Sequence, residues 1–139
     1  MNEKCPFCNT ANSISEQIHS YEYWNLFLHA EEKRQNTRQA AGFLALSRHE
    51  PNVIDVYDEE WAEVRKIIGD AALRLCTHIG VSYTGQEITG FNRGADAGQT
   101  VQHAHIHILP VADEDPAELK GRAGVSAAFE ALHRERVKQ

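Results

Sequence analysis

The chain is organised around residues 103–110, which read HAHIHILP. Three histidines alternate with apolar residues, and this period of two is typical of a β-strand, in which successive side chains point to opposite faces. The pattern predicts a strand with His103, His105 and His107 on one face, roughly 6–7 Å apart, and the apolar residues on a core face. Because Pro110 has no N–H to donate, we expect the strand to end there.

The row of imidazoles has three chemical interpretations. A surface metal-binding tract does not explain the regular alternation with apolar residues. A metal site made of three histidines is a second interpretation, although residues two apart on one strand converge on one ion less readily than ligands from separate strands. The third is nucleophilic catalysis, because a neutral imidazole attacks phosphorus near pH 7 and a neighbouring histidine can stabilise charge or transfer protons.

The segment before this strand favours the third interpretation. Residues 91–102 read FNRGADAGQTVQ, and the glycines and small alanines allow backbone N–H groups to approach a ligand closely. Asn92, Gln99 and Thr100 add uncharged polar groups without bulk. A glycine-rich loop that leads into a histidine strand predicts a phosphate-binding site beside a nucleophile.

Together the two segments resemble the signature of the histidine triad (HIT) nucleotide hydrolases and transferases. The matching elements are Asn92-x-Gly94, Gly98-Gln99-Thr100-Val101 and His103-x-His105-x-His107. In that family the middle histidine attacks the α-phosphorus of a nucleotide and forms a covalent nucleotidyl-histidine, which water or another acceptor resolves. The resemblance implies that His105 is the nucleophile and His107 a second catalytic residue. The substrate-binding positions that it implies are Asn92, Gly98, Gln99, Thr100 and His107.

The chain departs from the family pattern in one region. The acidic or amide residue that commonly holds the ribose in the family falls at His29 or Ala30, and residues 39–42 read QAAG where the family usually has Pro-Gly-His. The ribose contact is therefore not assigned from the resemblance.

Residues 5–8 read CPFC, which has three interpretations. A redox pair normally follows a strand and opens a helix, whereas only four residues precede Cys5 and a turn follows Cys8. A metal knuckle supplies two thiolates and needs two further ligands for tetrahedral zinc, and a bare thiol pair is the remaining interpretation. In some bacterial HIT proteins such a pair carries zinc, together with the histidine after the first hairpin and the first triad histidine. The structural zinc ligands that the resemblance implies are Cys5, Cys8, His49 and His103.

Apolar periodicity predicts the other elements. We expect a strand pair within residues 14–30, strands at 41–46 and 83–91, a long helix at 58–79 and a C-terminal helix at 125–137. Asp58 is the expected N-cap of the long helix, Gly80 its end, and Trp61 part of its apolar stripe. The predicted fold class is α+β: a HIT-like antiparallel sheet of five strands with one long helix, a C-terminal helix and the histidine face open to ligand.

Length and charge limit the classes of function. With 139 residues we expect one domain, in which residues 1–13 form the knuckle and residues 111–139 a variable tail. The net charge of −6 predicts no bulk affinity for nucleic acid. We expect no membrane span and no signal peptide, and three cysteines do not resemble a secreted disulfide framework, so the expected location is cytoplasmic. The resemblance implies a homodimer with a continuous sheet.

The sequence therefore predicts a nucleotide hydrolase or nucleotidyl transferase that acts at an α-phosphate. Two alternatives stay open at this point: a non-catalytic nucleotide sensor, and a metal-dependent hydrolase in which the histidine cluster holds a catalytic metal. Dinucleoside polyphosphates, phosphoramidates, adenylylated conjugates and nucleotide sugars all carry the α-phosphate that the triad would attack.

Overall fold

The structure is a computed structural model that describes residues 5–9, 15–31, 34, 39–122, 124–126 and 130. Its main elements are β1 (Glu16–Ser20), β2 (Trp24–Leu28), β3 (Gly42–Leu46), α1 (Asp58–Ile79), β4 (Tyr83–Gly90) and β5 (His105–Ala112). The strands form one sheet in the order β1-β2-β3-β5-β4, and every neighbouring pair is antiparallel. The predicted α+β fold, with five antiparallel strands and one long helix, is confirmed.

The first hairpin is fastened to the helix at its turn. The Tyr21 N–H donates to the Trp24 carbonyl at 2.7 Å and closes the turn. The carboxylate of Glu63, on α1, accepts the backbone N–H groups of Glu22 at 3.1 Å and Tyr23 at 2.8 Å. Strand pairing does not use these two backbone N–H groups of the turn, and a side chain of the helix accepts both of their hydrogen bonds.

The N-cap of helix α1 lies one residue before the expected one. Tyr57 is the N-cap in extended conformation, so the prediction of Asp58 as N-cap is wrong, and Asp58 is instead the first helical residue. The Glu60 carboxylate accepts the Tyr57 N–H at 2.7 Å, which satisfies a donor at the helix start. The predicted end is confirmed, because Gly80 takes a left-handed conformation with φ of 79°.

The buried face of α1 differs from the prediction in its first turn. Trp61 is 48 % exposed and packs edge-on against Phe91 with ring centroids 6.1 Å apart, so its assignment to the apolar stripe is wrong. Glu60 is buried in its place, because it lies four residues before the buried Val64 and shares its face of the helix.

The sheet has one face covered by α1. Buried aliphatic side chains from the three central strands pack there against the helix; they include Leu26, Leu44, Leu46, Ile106 and Ile108. Helix and sheet approach closely at Gly42, where a Cβ atom would overlap both the Phe27 carbonyl and the Leu75 side chain. A side chain at this position would therefore disturb the pairing of β2 with β3 and displace Leu75.

The opposite face carries the alternating side chains. In the register of β2, β3 and β5, Phe27 lies opposite Phe43 and Phe43 opposite His107. Ala45 lies opposite His105. The fold therefore places two triad histidines beside aromatic residues on the face away from α1.

Strand β5 is displaced along the chain from its predicted position. It begins at His105, so His103 precedes the strand, and it continues through Pro110 to Ala112. The expectation that Pro110 ends the strand is wrong. Pairing with β3 ends at Gly42 opposite Ile108, so at Pro110 the strand pairs with β4 alone, and a residue without an N–H is tolerated where one side of the strand is unpaired.

The remaining predictions concern the ends of the chain. The helix predicted for residues 125–137 lies mainly outside the described residues, as does most of the knuckle segment 1–13 apart from residues 5–9. Within the described part of the chain, no helix combines the length and apolar character needed to cross a membrane.

Candidate active site and metal cluster

Four donor side chains converge beside the start of β5. The ligand atoms of Cys5, Cys8, His49 and His103 all lie within 4.8 Å of one another. The shortest separations are 3.1 Å from Cys8 Sγ to His49 Nδ1 and 3.1 Å from His49 Nδ1 to His103 Nδ1. The His103 Nδ1 atom lies 3.4 Å from Cys5 Sγ and 3.5 Å from Cys8 Sγ. The structure thus brings together all four residues named as zinc ligands from the sequence.

The chemistry of this cluster fits a metal ion. Two thiols and two imidazoles form a common tetrahedral zinc set, in which donors about 2.0–2.3 Å from one ion lie roughly 3.3–3.8 Å from each other. The two sulfur–His103 separations fall within that range, and the two of 3.1 Å are slightly shorter. The His103 Nε2 atom lies 2.7 Å from the Leu46 carbonyl and donates to it, which leaves the Nδ1 lone pair directed at the cluster. Burial lowers the pKa of His103 and so favours the neutral, ligating form. These residues could hold a metal such as zinc.

The local backbone explains how both thiols face one point. The N–H groups of Cys8 and Asn9 donate to the Cys5 carbonyl at 3.2 Å and 3.0 Å, which closes a tight turn. Such a turn places side chains three residues apart on the same side, so the spacing C-x-x-C is the sequence signal for the pair.

His105 is oriented by the backbone of its neighbour. Its Nδ1 atom lies 2.7 Å from the His103 carbonyl oxygen and donates to it, so Nε2 carries the lone pair. The side chain is only 8 % exposed. His103 therefore connects the two sites, because its imidazole belongs to the metal cluster while its carbonyl fixes the tautomer of His105.

His107 connects the triad to the preceding loop. Its ring stands perpendicular to that of His105 at a centroid distance of 5.3 Å. Its Nε2 atom lies 3.1 Å from Asn92 Oδ1 and donates to it. The Asn92 amide is oriented by its other end, because Nδ2 donates to the Ala97 carbonyl at 2.7 Å. Asn92 thus contacts a triad histidine, and the substrate contact implied for it stays a prediction.

Gln99 shapes the loop from within. Its side-chain oxygen accepts the Gly94 N–H at 2.9 Å, and its Nε2 donates to the carbonyls of Pro51 at 2.7 Å and Val101 at 3.0 Å. The side chain is buried. Its amide therefore holds the loop in this structure, and the substrate contact implied for Gln99 stays a prediction.

Two other predicted binding residues lie on the same loop. Gly98 adopts a left-handed conformation with φ of 97° after a 3₁₀ turn at Ala95–Ala97, which suits glycine. Thr100 is exposed. Their contacts to substrate stay predictions.

An aromatic wall beside His105 includes residues that the sequence did not single out. Phe27 and Phe43 stack with their centroids 5.0 Å apart. Phe7, from within the cysteine turn, packs 4.7 Å from Phe43 and edge-on at 5.0 Å from His105. His29 lies 5.1 Å from Phe43. The sequence signal for Phe7 was its place between two cysteines. Because Cys5 and Cys8 lie in the cluster beside the site, the residue between them must lie close to the site as well.

Comparisons with known proteins agree with this geometry. A HIT domain model matches residues 43–114, more than half of the chain. A HIT family hydrolase from Clostridium thermocellum has a similar structure, with a TM-score of 0.59, 23 % identity and coverage of 84 % of this chain and 97 % of that one. A hypothetical histidine triad nucleotide-binding protein from Sulfolobus tokodaii strain7 gives a TM-score of 0.63 and 19 % identity, covering 94 % of this chain and 93 % of that one.

A third similar structure is a HIT family protein from Bacillus anthracis, with a TM-score of 0.61, 19 % identity and coverage of 99 % of this chain and 96 % of that one. Among curated proteins, no sequence gives a significant match. The identities are low enough that these structures show the fold, whereas the domain model covers the residues of the loop and the triad themselves. The match over more than half of the chain shows that this protein belongs to the HIT domain family.

Proposed function

We propose that the protein is a nucleotide hydrolase or nucleotidyl transferase that acts at the α-phosphate of a nucleoside phosphate derivative. The observation that carries the proposal is the 2.7 Å hydrogen bond from His105 Nδ1 to the His103 carbonyl. It leaves Nε2 as the nucleophilic atom of a neutral imidazole, on the same sheet face as His107 and next to the glycine-rich loop.

The proposed reaction has two steps. His105 Nε2 attacks the α-phosphorus in line and forms a P–N bond, while the bond to the leaving group breaks and the leaving group departs with its electron pair and gains a proton from solvent. Water then attacks the same phosphorus and gives up a proton to solvent, the P–N bond breaks with its electron pair on Nε2, and nucleoside monophosphate is released as His105 returns to its neutral form. The N–H groups of the loop stabilise the phosphate charge in both steps, and His107 does so by exchanging its hydrogen bond to Asn92 for one to a phosphate oxygen. Catalysis then rests on positioning and electrostatics.

The aromatic wall supports a nucleoside as the recognised part of the substrate. Base-sized sites are mainly apolar with a few polar groups, and the partly buried Phe7 ring, which packs on the buried Phe43, offers such a surface 5.0 Å from His105. The two substrate types that we propose to test first are a dinucleoside polyphosphate and a nucleoside phosphoramidate, which share the α-phosphate and differ in the leaving group.

Intact-protein mass spectrometry tests the covalent step. The protein is incubated briefly with adenylated and guanylated substrates and quenched without acid, because phosphoramidate links are acid-labile. We expect a mass increase of one nucleoside monophosphate in the wild type and none in His105→Ala. An adduct that persists in His105→Ala would refute His105 as nucleophile. Tight nucleotide binding without adduct or turnover would instead support a sensor.

The metal-dependent alternative receives less support from the geometry. The His103 Nδ1 atom faces the cysteine thiols, at 3.4 Å and 3.5 Å, so this histidine belongs to the cluster with Cys5 and Cys8. Loss of activity on chelation, with the folded structure and nucleotide binding retained, would favour that alternative.

We further propose that the cluster of Cys5, Cys8, His49 and His103 binds a structural zinc ion. When bound, the metal would supply a four-ligand cross-link between the cysteine turn, the segment after β3 and the start of β5. The donor set and the tautomer of His103 support this proposal.

A homodimer is the proposed assembly. Strand β4 is an edge of the sheet, and Trp61 and Phe91 form an exposed aromatic contact where β4 ends. A second copy that pairs along β4 would extend the sheet and cover these rings. Light scattering should report twice the chain mass for the wild type and a shift towards monomer for Trp61→Glu.

A further inference from the structure

Residues 46–51 comprise the last residue of β3 and the segment after it. Their backbone contacts the two residues just before β5. The Leu46 carbonyl accepts the proton of His103 Nε2 at 2.7 Å. The Leu46 N–H donates to the Ala104 carbonyl at 3.1 Å, and the Ala104 N–H donates to the Glu50 carbonyl at 2.6 Å. The His103 carbonyl orients His105. Residues 46–51 therefore hold both His103 and Ala104, the two residues that the peptide bond of this carbonyl joins.

The same segment contacts the metal cluster and the glycine-rich loop. His49 lies in its middle and supplies one of the four donors. The Pro51 carbonyl accepts a hydrogen bond from Gln99 at 2.7 Å. The Ser47 N–H donates to the Tyr23 carbonyl at 2.8 Å and continues the strand pairing by one residue. From Arg48 the segment belongs to no strand or helix until the 3₁₀ turn at Val53–Asp55, so sheet pairing does not fix the position of His49.

A charged pair fastens this segment to α1. Arg48 Nε and Nη2 each donate to the Glu60 carboxylate at 2.9 Å, in a two-point contact. The guanidinium also lies 4.0 Å over the Tyr57 ring and 3.7 Å from the Glu50 carboxylate. The Glu60 residue is 3 % exposed, so its charge depends on Arg48 and on the Tyr57 N–H.

We propose that Arg48 and Glu60 are positioning residues that hold segment 46–51 on α1 and thereby set the geometry of the metal cluster and the triad. Neither side chain is a metal donor, and both act through the backbone that they fix. The effect on the metal cluster is independent of the proposed function, whereas the effect on turnover rests on it.

The pair is suited to this role by its geometry. A planar guanidinium in a two-point contact with a buried carboxylate allows little rotation of Arg48, and His49 is the next residue in the chain. A lysine could retain the charge but not the two-point contact. We therefore expect the position of His49 to depend on the shape of the Arg48 side chain as well as on its charge.

Cobalt binding by the full chain tests the proposal, because tetrahedral Co²⁺ has an absorption spectrum that reports ligand geometry. The test variants are Arg48→Lys, which loses the two-point contact, and Arg48→Met with Glu60→Gln, which avoids a lone buried charge. The matched control is Arg74→Met with Asp70→Asn, which removes an exposed ion pair of 2.7 Å on the same helix. Thermal unfolding of the metal-free proteins measures the general loss of stability separately.

We expect the Co²⁺ affinity to fall about 10- to 100-fold in the double variant and by less in Arg48→Lys, with altered visible bands in both. The control should bind Co²⁺ like the wild type. An unchanged affinity and spectrum in the folded double variant would overturn the proposal, as would a wild-type protein that binds no Co²⁺. Adduct formation by the wild type is measured in parallel, so a failure of the proposed nucleotide chemistry is recognised separately.

Discussion

The two faces of the sheet differ in what they bury. The face under α1 is mainly aliphatic, with Leu44, Ile106 and Leu75 among the fully or nearly fully buried side chains of the core there. The other face carries phenyl rings and imidazoles, and the imidazoles are held by hydrogen bonds, as in those from His105 to the His103 carbonyl and from His107 to Asn92. Strand alternation thus allows the same three strands to supply a core on one side and a reactive surface on the other.

This separation predicts that substitutions on the two faces have different effects. A change on the histidine face should alter chemistry with little change in stability, and a change on the helix face should do the reverse. The metal cluster lies at the junction, because His103 contributes its imidazole to the cluster and its carbonyl to His105.

The largest expected effect is that of His105→Ala on turnover. Without the nucleophile, nucleotide hydrolysis should fall by at least about 1000-fold, whereas the circular dichroism spectrum and nucleotide binding are retained. Steady-state kinetics and calorimetry measure the two quantities. His78→Ala, which removes a histidine at the end of α1, is the matched control and should retain full activity. If His105→Ala and His78→Ala had comparable activity, the proposed difference between a reactive face and a structural face of the sheet would be wrong.

On the helix face, Leu75→Ala should cost stability. Leu75 lies on α1 and is fully buried against Gly42. Its truncation leaves a cavity, which should lower the free energy of unfolding by about 2–5 kcal/mol. Urea denaturation measures the loss, and kcat of the folded fraction should be unchanged. Leu73→Ala is the control on the same helix: this side chain is 50 % exposed, and the expected change is below about 0.5 kcal/mol.

At the junction, Cys5→Ser should remove most of the zinc-dependent stability. In the wild type, free zinc at about 100 times its Kd should add about 2.7 kcal/mol. The variant should lose this increment while its metal-free stability stays close to that of the metal-free wild type. Cys76→Ala is the control, because Cys76 lies on the buried face of α1 and outside the cluster. Equal zinc increments in Cys5→Ser and the wild type would contradict the four-ligand assignment.

The sequence predicted the features that follow from local periodicity. The helix at 58–79 and the approximate positions of the strands along the chain came from apolar spacing, and the pairing of the two cysteine thiols at one site came from their spacing. The resemblance to the family, more than geometry, named the four residues of the cluster. Those residues are far apart in the chain, and no spacing rule joins His49 to Cys8.

Features that depend on tertiary contacts were missed. The start of β5 at His105 and its extension through Pro110 depend on where β3 ends. Trp61 looked apolar enough for the core, yet Glu60 is buried in its place because Arg48, twelve residues earlier, neutralises it. The sequence did contain a signal for this pair. Glu60 has the spacing of the apolar stripe of α1, and an acidic residue at such a position needs a basic partner, which here is Arg48.

The smallest expected effect is a pH dependence that comes from this buried pair. The hydrogen bonds from Arg48 hold the pKa of Glu60 below its ordinary value of 4.5. Folding therefore favours the charged carboxylate, and the stability that it contributes is complete above that value and is lost as the pH falls through the lowered pKa of the folded state. Urea unfolding of the zinc-free proteins should show a higher free energy of unfolding for the wild type than for Glu60→Gln near pH 7. This gap between the two proteins should narrow at about pH 3.5.

Glu118→Gln, which alters an exposed carboxylate after β5, serves as the reference and should show a gap near zero at both pH values. A gap for Glu60→Gln that is constant with pH would mean that the Glu60 charge does not stabilise the fold, and that the residue acts only as a neutral hydrogen-bond acceptor for Tyr57. A narrowing gap would show that the charge of this buried ion pair stabilises the fold, at the point where α1 supports the backbone of the histidine face.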